Sequence, residues 1–188
     1  MTFLKRLFSN AKAVGTTAAT VEAPSAEDNQ EHRVPVGFRR YLAKDFQQYF
    51  GVSEPAAAQI AADYAEVIAF HETRGFGAEL RSNPRNGPEI AKLCAGRYDV
   101  PDHVASAVHL FFTFVAIARE HQMKARELKF AKAEWLGSTK TDGASCHAEF
   151  ESMTFNPQKG MLVEGKFVLP GVSLGCKCTS RPIFEPKL

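Results

Sequence analysis

The stretch PDHVASAVHLFFTFVAIAREHQMKARELK, residues 101–129, runs directly into FAKAEWLGS, residues 130–138. The first reads with a helical period and the second with a strand period, and that change decides the fold. Val104, Val108, Phe111, Val115 and Ala118 recur three or four residues apart and share one helix face. Leu110, Phe114 and Ile117 cover another, so the middle is apolar nearly all round, as in a helix that is central or faces a partner. Pro101 suits the start, and the basic end with Lys124, Arg126 and Lys129 suits the negative pole of the helix dipole. Beyond it, Phe130 alternates with Lys132 and Trp135 with Glu134, the pattern of a strand.

Outward toward the C-terminus, glycine and proline punctuate every few residues. Short strands fit MTF (153–155), MLVEG (161–165), KFVLP (166–170) and CKCTSRPIF (176–184), with Pro182 confining the last to an edge. Outward toward the N-terminus the chain reads as helix. Phe38, Leu42, Phe46 and Phe50 are spaced by four and stopped by Gly51. Ser53 is placed as an N-cap ahead of Pro55, Ile60, Tyr64, Val67 and Ile68 form the next stripe, and Gly75 ends it. GFGAELRSNPRNG (75–87) reads as a breaker-rich loop and PEIAKLCAG (88–96) as a short helix, with Cys94 a small buried apolar side chain. The fold class expected is α+β: a helical N-terminal half with one long central helix, then a small loop-rich antiparallel β region. The expected organisation is a flexible tail at 1–33, a helical region at 34–100, and the long helix with the β region at 101–188.

A chain of 188 residues with 45% hydrophobic and 23% charged residues is an ordinary globular protein, long enough for a core that needs no disulfides. Fifteen Phe against one Trp predict an aromatic-rich core or a sticky interface. A net charge of +2 does not by itself argue for nucleic acid. No apolar run reaches the roughly 18 residues of a membrane span, and MTFLKRLFSNAKA at the start is no signal peptide. These features lead one to expect a cytoplasmic chain with reduced thiols. In the tail, Phe3, Leu4, Leu7 and Phe8 form one face of a short amphipathic helix, a candidate segment for docking on a partner.

The chemistry-bearing residues gather near the end, in GASCHAEFESMTF (143–155) and LGCKC (174–178). Cys146, His147, Cys176 and Cys178 are the right number of donors for a tetrahedral zinc site. The spacing differs from common zinc motifs: one pair is adjacent and the other has a one-residue gap. In an extended strand Cys146 and His147 point to opposite faces, so only a turn brings both to one ion, whereas Cys176 and Cys178 share a face. The residues alone leave three readings: a structural zinc; cysteines packed in a small core with His147 bonded to loop backbone; or a disulfide from Cys146 to Cys176 or Cys178.

Asp142, Ser145, Glu149 and Glu151 surround the histidine, which makes a Cys/His metal-dependent hydrolase or nuclease a rival reading. No nucleophile elbow, phosphate-binding glycine loop or H-E-x-x-H supports it: His71 and Glu72 lack the second histidine, and the glycines of GFG are too few. A second rival is a small nucleic-acid-binding module using Arg81 and Arg85, with Arg74 and Arg97 nearby, and the basic helix end at Lys124, Arg126 and Lys129.

IARE (117–120), KAEW ending at Trp135, STKTDG with Asp142, HAEFESMTF from His147 to Phe155, and LPGVSLGCKC with Cys176 and Cys178 follow one another in this order. Over residues 104–184 that order resembles the phage Mu F-like minor head proteins. The chain departs from that pattern in having Ser152 where glycine is common, and only Cys146 where many members carry a C-x2-C pair; the second departure weakens the zinc reading more than the fold. The resemblance implies a head-morphogenesis protein of a phage or prophage, a virion component made in the host cytoplasm. It would act by binding portal or capsid proteins during assembly and not by catalysis, with DNA a further candidate partner and no membrane. It also implies that the strand closing on Cys176 and Cys178 pairs with the Trp135 strand, and that His147 pins the loop between them.

Overall fold

The computed structural model describes residues 34–70, 74–82, 87–137 and 147–184. The docking face at Phe3, Leu4, Leu7 and Phe8, together with Asp142, Cys146 and Arg85, lies outside the described residues.

Five helices come first: α1 (Ala43–Phe50), α2 (Glu54–Ala69), α3 (Phe76–Ser82), α4 (Gly87–Tyr98) and α5 (Asp102–Glu127). Five short strands follow: β1 (Ala133–Leu136), β2 (Thr154–Phe155), β3 (Met161–Val163), β4 (Lys166–Val168) and β5 (Thr179–Pro182). This is the α+β architecture that the change of period predicts.

The helix borders follow capping chemistry. Ser53 caps α2 by accepting the Ala56 N–H at 3.4 Å, as expected. Three borders differ from expectation. Phe38 precedes α1, in a turn closed by its N–H on Pro35 O at 3.0 Å. The helix starts after Leu42, whose N–H is taken by the Asp45 carboxylate at 2.8 Å. A capping carboxylate outweighs the continuity of an i+4 apolar series. Helix α2 ends at Ala69, because Phe70 turns left-handed with φ 57° before Gly75 is reached. The supposed loop at 75–87 contains α3, in which Phe76 and Leu80 are buried. Gly77 there is a contact surface: a Cβ on it would lie 3.3 Å from Val67 Cα. Close packing on α2 sets this segment, against the poor helix propensity of its glycines.

The core explains the phenylalanine count. The ring of Phe111 on α5 lies within 5.6–6.3 Å of those of Tyr41, Phe46, Phe50, Tyr64 and Phe112. Phe76 and Tyr98 extend the same cluster from α3 and α4. Such pairs add about 0.5–1.5 kcal/mol each beyond the area they bury. Helix α5 is less uniformly covered than its composition suggests: Val108, Phe111 and Val115 are buried, whereas Leu110 is exposed. No single helix among the described residues is long and apolar enough to cross a membrane; α4 and α5 pass that test only as a pair, and they meet at 110°.

The β region is a three-stranded antiparallel sheet in the order β2-β1-β5, plus a β3–β4 hairpin. The central strand buries Ala133 and Trp135. Its edge β5 pairs Trp135 with Ser180 and Leu136 with Thr179. The Trp135 strand and the closing strand therefore do lie side by side, although pairing starts at Thr179, after the cysteines, and at Ala133, after Phe130.

Candidate functional site

The chain leading into β2 makes a short 3-10 turn, Ala148–Phe150. Backbone bonds fix it: Trp135 N–H donates to Met153 O at 2.8 Å, and Ser152 N–H to Trp135 O at 2.9 Å. The Glu151 carboxylate accepts the Gly137 N–H. His147 opens this turn, and its ring is held between two aromatic side chains. It stacks on Phe150 with centroids 5.4 Å apart and meets the Trp135 ring edge-on at 5.4 Å.

The second contributor is the segment before β5. It is drawn against the helical core by Leu169 N–H on Gly37 O at 3.2 Å and by Leu174 N–H on Tyr41 Oη at 3.1 Å. Cys176 N–H donates to Ser173 O at 2.9 Å, which tightens the turn carrying the first sulfur. Cys176 and Cys178 are both buried, at 2% and 1% exposure.

The two segments converge. His147 Nδ1 lies 3.5 Å from Cys176 Sγ. The ligand atoms of His147, Cys176 and Cys178 all lie within 4.8 Å of one another. Of the three readings, the structure bears on the histidine most directly: its ring nitrogen faces a sulfur. Cys146, the fourth expected donor, lies outside the described residues, as does the disulfide reading that depends on it. Trp135 completes the cluster. It is fully buried, and its indole N–H has no hydrogen-bond partner among the described residues.

Phe155 joins this cluster, and the remaining candidate residues are scattered. Phe155 packs on Trp135 at 5.7 Å. Arg81 covers the face of Phe70 at 4.3 Å. Lys124 pairs with Glu120 one turn earlier, and Arg97 with Asp63. Cys94 is sealed in the core, and burial pushes its thiol up to about 12, which removes it from thiolate chemistry near neutral pH.

Sequence reasoning missed the buried Arg119–Gln122 pair on α5. Arg119 Nε donates to Ile68 O at 2.6 Å and another of its N–H groups to Gln122 Oε1 at 2.6 Å. Burial lowers Arg119 to about 10, still far above neutrality, so it remains a cation. The signal was available: both residues continue the face set by Val108, Phe111 and Val115 toward the C-terminal end of the helix.

No protein-family model, no curated protein and no solved structure matches this chain.

Proposed function

We propose that the chain is a minor head protein of a phage or prophage, acting by binding portal or capsid components during head assembly. The observation that carries this reading is the meeting of residues far apart in the chain. Trp135, His147, Phe155, Cys176 and Cys178 form the ordered series of the resemblance. In space they are one cluster, with His147 against both the indole and the sulfur. A motif of order and spacing is meaningful when its members touch.

The departure at Ser152 supports the same reading. Its φ is 63°, the left-handed conformation that glycine adopts without steric cost. The chain thus keeps the backbone shape of a glycine position after losing the glycine.

Binding also agrees with the surface. Leu162 and Phe167 are cross-strand partners on the β3–β4 hairpin and are 62% and 42% exposed.

The test is co-expression of the full chain with the portal and major capsid proteins of the same genome. Retention of either protein through affinity and size-exclusion steps is expected. A chain that elutes alone, with both proteins present and folded, overturns the reading.

A further inference from the structure

We infer that His147, Cys176 and Cys178 bind a zinc ion that fastens the β1–β2 connection to the segment entering β5. This inference does not depend on the phage reading. Zinc held by cysteine and histidine has Zn–S near about 2.3 Å and Zn–N near about 2.0 Å. At tetrahedral angles those lengths put a ligating sulfur and nitrogen roughly 3.5 Å apart, and two sulfurs roughly 3.8 Å apart. The observed Cys176 Sγ to His147 Nδ1 separation is 3.5 Å, and all three ligand atoms fall within 4.8 Å of one another. The one pair with a stated separation is thus at ligand spacing, and the third donor is close enough to reach the same point with a small side-chain shift.

Charge suits the arrangement. On binding, two thiols release their protons to solvent as two Zn–S bonds form, and the imidazole binds neutral through Nδ1. Two thiolates cancel the charge of a divalent ion, which suits sulfurs that are 2% and 1% exposed. Two soft sulfurs with an imidazole select zinc over magnesium or calcium, which take oxygen ligands.

The fold gives the ion a purpose. Strands β2 to β5 are two to four residues long and bury little apolar surface of their own. A metal that binds only the folded state stabilises it by mass action.

The experiment uses the full chain purified from zinc-supplemented cells without chelator. Elemental analysis is expected to give about one zinc per chain. Stripping the metal is expected to lower the melting temperature, with recovery on adding zinc. Cobalt added to the stripped chain is expected to give a sulfur-to-cobalt charge-transfer band, weakened in Cys176→Ser and in Cys178→Ser and absent when both are replaced. Because a serine variant can fail to fold, the titration of stripped wild-type chain is the deciding measurement. A wild-type chain that carries no zinc and gives no charge-transfer band overturns the inference. So does a band that survives in the Cys176→Ser/Cys178→Ser double variant.

Discussion

The side chain of Gln122 holds the backbone of Gln158, and the side chain of Gln158 holds the backbone at the end of α5 and just beyond it. Gln122 Nε2 donates to Gln158 O at 2.9 Å, and Gln158 Nε2 donates to Ala125 O and Phe130 O at 3.2 and 3.3 Å. Gln122 also donates to Val36 O at 2.8 Å. One fully buried amide thus joins α5, the chain entering α1, and the turn before β3.

Replacing Gln122 by Ala leaves two carbonyls and the Arg119 donor short of a partner. Each buried group left so costs about 1–3 kcal/mol, and a total loss of about 3 kcal/mol or more is expected. Gln122→Leu fills the volume yet restores none of the bonds, so it is expected to be about as damaging. Gln158→Ala, at a half-buried position, is expected to cost about 1 kcal/mol. Urea midpoints rank the three. A stable Gln122→Leu variant would mean that packing, not hydrogen bonding, sets the joint.

Asp63 is 1% exposed on α2 and is satisfied from α4. Arg97 meets it at two points, both 2.6 Å, and Tyr98 Oη donates to it at 2.6 Å. Burial first, and then the bond to Asp63, raise the Tyr98 hydroxyl above its ordinary pKa, so it stays a donor. Asp63→Ala strands that hydroxyl and frees α4, with a loss of about 3 kcal/mol expected. Tyr98→Phe is expected to cost about 1.5 kcal/mol. Because the two losses share a bond, the double variant should be less damaging than their sum by at least about 0.5 kcal/mol. Strict additivity in denaturant unfolding would remove the direct link.

Two histidines make stability depend on pH. Burial lowers His109 and His121 below the ordinary 6.5. His121 Nδ1 is 3.0 Å from Ser180 Oγ on β5, so the group sits at the contact between α5 and the sheet. When the folded pKa lies below the unfolded one, the unfolded chain binds more protons between them. Stability is therefore full above about pH 6.5 and falls as pH drops toward the folded values, then levels off. His121→Gln is expected to flatten that slope in melting curves taken across this range. An unchanged slope would assign the effect elsewhere.

What the sequence conveyed depends on how local each signal is. The period change after Lys129, the Ser53 cap and the strands near Met161 and Lys166 are written in neighbouring residues, and the structure has them. Helix α3 was hidden because Gly75 and Gly77 signal a loop, whereas what holds the segment is contact with Val67, ten residues away. The left-handed stop at Phe70 is likewise a tertiary effect, supported by Arg81 over its ring. At the site, the residue types were legible. Their convergence was not, because it depends on a sheet register and on Tyr41 and Gly37 drawing the 169–178 segment inward.

The hairpin region separates two costs of losing a glycine. Gly165 shares the β3–β4 turn with Glu164; their φ values are 78° and 47°. That is the two-residue turn whose twist matches antiparallel strands. A Cβ there meets nothing within 4 Å, so Gly165→Ala carries only the backbone penalty, about 1 kcal/mol. Gly160 has φ 99°, and a Cβ on it would lie 2.6 Å from Val168 O and 2.8 Å from Val168 C. Those atoms belong to a strand paired with β3 through Met161. Relief requires the ladder itself to shift, so Gly160→Ala is expected to cost at least about 3 kcal/mol. It should also disturb the turn carrying Gln158, and with it the Gln122 joint. Hydrogen exchange at Met161 and Val168 should quicken in Gly160→Ala and stay slow in Gly165→Ala. Equal losses in the two variants would mean that the close approach of Gly160 to Val168 contributes nothing.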